Sequence, residues 1–71
     1  METLTDEQRA YWDEVGWARE APSATAGQTA AQALAFLVVS IRYAFKLEGL
    51  PVPSEEAVAG ELGAAPPRPT L

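Results

Sequence analysis

Thr25–Gly49, TAGQTAAQALAFLVVSIRYAFKLEG, is the longest stretch of this chain in which apolar residues recur at helical spacing. A helix advances about 100° per residue, so side chains three and four apart share a face. Leu34, Leu37, Val38, Ile41, Ala44 and Phe45 line one such face, while Phe36, Val39, Tyr43 and Leu47 stand on roughly the opposite side. Gln28, Gln32, Arg42 and Lys46 form the one clearly polar strip between them. Thr25 with Gln28 three residues later fits the capping box, and Gly49-Leu50-Pro51 fits a helix stop. These signals predict a helix of about 23 residues, roughly 35 Å long at 1.5 Å per residue.

A helix with two apolar faces is central to a large core, embedded in a membrane, or shared between chains. A chain of 71 residues has little material to wrap a central helix on every side, since domains near 60 residues bury only about 60% of their unfolded surface. The uncharged run Ala21–Ile41 has the length of a span, but Pro22, Gly27, Gln28, Thr29, Gln32 and Ser40 interrupt it. The reading that follows is self-association or a permanent protein partner. A monomeric three-helix domain is the plainer alternative, and membrane contact a third.

Composition narrows the function further. The net charge of −5 with only five basic residues, dispersed as Arg9, Arg19, Arg42, Lys46 and Arg68, argues against nucleic acid, whose binding needs clustered cations to neutralise phosphates. The same balance disfavours an anionic membrane surface and favours a basic or apolar partner. With no cysteine and no histidine, disulfides, thiolate metal sites and the usual nucleophile–base pairs cannot be assembled. The carboxylates occupy first turns of helices or have helical neighbours to pair with, and none shows the EF-hand spacing. No catalysis, cofactor or metal is expected. Glu2 follows Met1 where a leader would be basic and then apolar, so a cytoplasmic protein is expected.

Taken in order, the chain opens with Leu4-Thr5-Asp6-Glu7-Gln8, a Thr cap with Gln at the third helical position and acids in the first turn. The predicted helix runs to about Ala21, with Tyr11, Val15 and Ala18 on its inner face, Trp12 beside them, and Arg9 and Asp13 paired across one turn. Gly16 falls inside it as a weak point. Leu4–Ala10, Asp13-Glu14-Val15 and Ala18–Pro22 resemble the opening helix of acyl-CoA dehydrogenases. That part of the family carries neither flavin site nor catalytic carboxylate, so the likeness implies a capped amphipathic helix and no activity.

After Gly49, the segment Leu50-Pro51-Val52-Pro53 reads as extended. Ser54 caps a short helix with Ala57, Val58 and Leu62 inward, and Gly63 ends it. Leu50–Gly63, with Pro53-Ser54-Glu55-Glu56 and Glu61-Leu62-Gly63, resembles the first helix and turn of GntR-type winged helix-turn-helix regulators. A recognition helix would follow in that family. Here Pro66, Pro67 and Pro69 stand in its place, so no base-reading helix is expected.

The expected architecture is all-α: a helical hairpin of about Asp6–Ala21 and Ala26–Glu48 joined through a turn at Pro22–Ala24, plus a short helix near Glu55–Leu62. Residues 1–63 form one small domain, and residues 64–71 an extended Pro-rich tail. The expected function is a non-catalytic protein-interaction protein, a small acidic accessory or structural subunit that self-associates or packs on a larger assembly. Its interface would hold Trp17, Phe36, Val39, Tyr43 and Leu47, with Pro66, Pro67 and Pro69 as a clasp. The alternative is an acidic regulator or inhibitor, of the kind a mobile element encodes, that occupies a basic site on a host protein.

Overall fold

The computed structural model describes residues 2–63, which form three helices and, among the described residues, no strand. α1 spans Asp6–Val15, α2 Ala30–Leu47 and α3 Glu55–Glu61. Pro66, Pro67, Pro69 and the rest of the expected tail lie outside the described residues.

α1 begins as its sequence dictates. The Thr5 hydroxyl accepts the Gln8 N–H at 3.1 Å and the Gln8 Oε1 accepts the Thr5 N–H at 2.9 Å, closing the capping box. It ends six residues earlier than expected, at Val15. Gly16 is not a flaw inside a helix but its terminator: it takes the left-handed conformation, φ +87°, and its N–H bonds to the Trp12 carbonyl. The early stop changes the inner face. Leu4, Gln8 and Trp12 are buried, Tyr11 is half-buried, and Val15 and Ala18 are exposed. Asp13 pairs with Arg19 at 2.7 Å rather than with Arg9, whose partners are Asp6 and Glu61.

α2 starts four residues later than expected, and the reason is one side chain. Thr25-Ala26-Gly27-Gln28 and Thr29-Ala30-Ala31-Gln32 repeat the same Thr-x-x-Gln frame. In the first, Gly27 sits at φ +80° in a turn closed by the Gln28 N–H on the Thr25 carbonyl, and the helix does not propagate. In the second, Ala31 replaces glycine, the Thr29–Gln32 capping box closes, and α2 runs for 18 residues, about 27 Å. The connection between α1 and α2 is therefore residues 16–29, not a short turn at Pro22–Ala24.

The close helix pair is α2 with α3. Leu4, Trp12, Val38, Ile41, Phe45, Ala57, Val58 and Leu62 make the core, with Leu34, Leu37 and Trp17 packed at its margin. α1 reaches α2 through large side chains: the Tyr11 and Phe45 rings meet edge-on at 4.9 Å. The extended link before α3 is held from both sides by hydrogen bonds to proline carbonyls. Gln8 Nε2 donates to Pro51 O at 2.8 Å, and Arg42 Nε donates to Pro53 O at 2.9 Å. Among the described residues every buried side-chain nitrogen and oxygen has a partner.

Two substitutions test these boundaries by chemical denaturation. Gly16→Ala should destabilise the fold by about 1–2 kcal/mol, because the left-handed backbone penalises a Cβ although none of its neighbours would touch one; a glycine inside a helix would instead gain about 1 kcal/mol on becoming alanine. Thr29→Ala should cost about 1 kcal/mol, and Thr25→Ala less than about 0.5 kcal/mol.

Candidate protein-docking site

α2 has two apolar faces, and the rest of the described chain covers one. Phe45, Ile41 and Val38 are 0%, 2% and 6% exposed, while Phe36, Val39, Tyr43 and Leu47 are 70%, 63%, 57% and 69% exposed. The contrast follows from periodicity. Spacings of three, four and four residues place the second set on the side of α2 turned away from α1 and α3. The stripe is rigid in origin, being carried on a capped helix whose other side is anchored in the core.

Two borders frame it. On the Val39 and Tyr43 side lies a shallow groove of about 260 Å³ shared with Arg42, Lys46 and Val52, the last being 43% exposed and extending the apolar surface. On the Phe36 side the stripe meets the 16–29 connection at Pro22, Thr25 and Gln28. Two polar side chains on or beside the stripe are already engaged. Ser40 Oγ donates to the Phe36 carbonyl at 2.9 Å, and Gln32 Oε1 accepts the Thr29 N–H at 2.8 Å. Covering the stripe would therefore strand neither the Ser40 hydroxyl nor the Gln32 carbonyl oxygen, and the Tyr43 hydroxyl is the group that needs water or a partner's acceptor.

Charge is segregated around this surface. Ala30–Leu47 contains no carboxylate and two cations, in a chain of net charge −5. Arg42 is held by Pro53 O and by Glu55 at 3.6 Å. Among the described residues Lys46 has no ion pair, whereas Arg9, Arg19 and Arg42 each have one or more. The acids Asp6, Asp13, Glu55 and Glu61 are partly spent on internal pairs. Hydrogen bonds to Glu61 and then Asp13 raise the pKa of the Arg19 guanidinium above its ordinary value. No group of three or more acidic side chains among the described residues could hold a metal ion.

Of the residues expected at an interface, the structure brings Phe36, Val39, Tyr43 and Leu47 onto one surface and puts Trp17 elsewhere. The Trp17 ring packs on Trp12, Tyr11 and Phe45 with centroids 5.3, 5.6 and 6.0 Å apart, and its carbonyl accepts the Trp12 indole N–H at 3.1 Å. A helix continued through Gly16 would carry Trp17 off the inner face; the reversal at Gly16 turns it back onto the core. Val52 belongs to the exposed surface and was not anticipated. Its only signal is that it lies between two prolines in an extended link, where one side chain must point outward.

α2 is also, by length and composition, the one helix among the described residues able to cross a membrane. Insertion would need its core side, Val38, Ile41 and Phe45, to leave Trp12 and Val58.

The two aromatic positions should separate in stability measurements. Trp17→Ala should cost about 2 kcal/mol or more through lost packing, while Tyr43→Ala should stay within about 0.5 kcal/mol because the ring is mostly solvated. Equal costs by chemical denaturation would show that Tyr43 belongs to the folding core. No protein-family model, no curated protein and no solved structure matches the chain.

Proposed function

We propose that this chain is a non-catalytic protein-interaction protein, a small acidic helical subunit that works by docking the outer stripe of α2 against another protein surface. One observation carries the reading: four large apolar side chains, each more than half exposed, lie together on one rigid helix face with no carboxylate among them. Large exposed apolar patches on small proteins mark interaction surfaces, and aromatic anchors such as Phe36 and Tyr43 contribute most of the binding energy in them. A cytoplasmic location and the role of an accessory or structural subunit are part of the proposal. So is the Pro-rich segment from Pro66 as a clasp beside the stripe.

A second reading is favoured by the carboxylates Glu7, Glu14, Glu20 and Glu56, exposed and without an ion pair among the described residues. They would suit an acidic regulator that occupies a basic site. Salt separates the two, because exposed charges are screened beyond about 8 Å at physiological ionic strength and apolar contact is not.

Photo-crosslinking in cells tests the docking surface. A photoreactive phenylalanine analogue at Tyr43 or Leu47 should give a discrete protein adduct that still forms in high-salt lysate, and the same group at Glu7 or Glu14 should give none. Adducts from α1 that vanish with salt would favour the acidic regulator, and their absence from every position would overturn both. Truncating Tyr43 to Ala should cost about 2 kcal/mol or more of association free energy.

A further inference from the structure

We infer that the outer stripe of α2 is covered by a second copy of this chain, in an antiparallel twofold pairing of α2 with α2. The inference rests on the docking role proposed for that stripe and names its occupant.

The shape of the stripe is self-complementary. Val39, Tyr43 and Leu47, four residues apart, form a ridge along α2; in the neighbouring row, Phe36 is followed by Ser40 and Ala44, whose small side chains leave a groove. Ridges and grooves of this i, i+4 type interdigitate between two helices at about −50°. A twofold axis near the height of Ile41 serves both at once. Phe36 and Leu47 lie nearly equally far from it, as do Val39 and Tyr43. Each aromatic ring then meets an aliphatic side chain of the other copy: Phe36 against Leu47, and Tyr43 against Val39. Ser40 lies close to the axis with its hydroxyl already bonded to the Phe36 carbonyl, so burying it there strands no donor.

Area and charge point the same way. The exposed fractions of Phe36, Val39, Tyr43, Leu47 and Val52 amount to on the order of 500 Å² per chain, taking about 150–250 Å² for each aromatic side chain. Two such faces together remove on the order of 1,000 Å², where specific interfaces begin. Two chains of net charge −5 repel at long range, and α2 is the helix through which they can meet without opposing carboxylates. A strongly basic partner would be drawn to the acids of α1 and α3 and repelled by Lys46 and Arg42.

The chain has no cysteine, so introduced thiols report the pairing directly. Light scattering on the full chain should give a mass that rises with concentration towards twice 7.6 kDa, persists in high salt, and stays at one chain for the double variant Tyr43→Glu/Leu47→Glu. Circular dichroism should show that variant folded, since neither side chain is in the core. On mild oxidation a mixture of Phe36→Cys and Leu47→Cys chains should cross-link, and neither chain alone should, because like positions stand roughly 17 Å apart along the helices and a disulfide cannot bridge so far. A wild-type chain that stays monomeric at every concentration would overturn the second copy, and leave the docking surface to the in-cell adducts. A monomer that instead partitions into neutral lipid vesicles would overturn it in favour of the membrane. A dimer that survives Tyr43→Glu/Leu47→Glu would overturn the stripe as the working surface as well. Cross-linking between like positions would overturn the antiparallel geometry.

Discussion

The burial of Trp12 is the constraint around which the other contacts arrange themselves. Its side chain is fully covered, and an indole N–H in such a place needs an acceptor. The acceptor is the Trp17 carbonyl, five residues on, a geometry no continuous helix provides. α1 must therefore break, and Gly16 is the residue that lets it. The reversal also lays the Trp17 ring on Trp12 and carries Arg19 to within 5.9 Å of the Trp12 ring, where its guanidinium bonds Asp13 and Glu61. The end of α1 and the end of α3 are thus fastened through one turn. The ion pairs are partly exposed and add little each; the buried indole and its carbonyl set the geometry.

From that arrangement the exposure of α2's outer face follows. α1 is ten residues long and α3 seven, and both pack on the same side of α2 because Trp12 ties the first to the second. The link between α2 and α3 is extended and braced by Gln8 and Arg42, so it cannot fold over the far side either. Nothing among the described residues remains to cover Phe36 and Leu47. Their exposure is a consequence of how the core closes.

What could be read in the residues alone follows the strength of the local signals. The caps at Thr5 and Ser54 and the inner faces Val38-Ile41-Phe45 and Ala57-Val58-Leu62 were legible, since each joins a periodic apolar pattern to a side chain that satisfies free backbone groups. The paired faces of α2 were legible for the same reason. What was not legible turned on glycine. Gly16 and Gly27 each permit helix or left-handed turn, and the residue alone does not decide: the Trp12–Trp17 bond settles one case and the competing Thr29 cap the other. Reading both as helical lengthened two helices, closed a hairpin turn in place of the 16–29 connection, and turned Trp17 outward. Gln8 was recognised as half of a cap but not as a buried bridge to Pro51, because a contact across 43 residues leaves no trace in local spacing.

α2 thus couples two surfaces through one backbone. Val38, Ile41 and Phe45 hold the fold, and Val39, Tyr43 and Leu47 stand one or two positions away on the same turns. A ligand that binds only the folded chain stabilises it by mass action, about 2.7 kcal/mol when present at a hundredfold excess over its dissociation constant. For a chain of this length the whole folding free energy is of order 5 kcal/mol. Docking on the outer stripe would therefore change the stability of the core side without touching it. Because the two sets of side chains are disjoint, a substitution in one leaves the intrinsic contribution of the other intact; what they share is the helix, whose unfolding abolishes both.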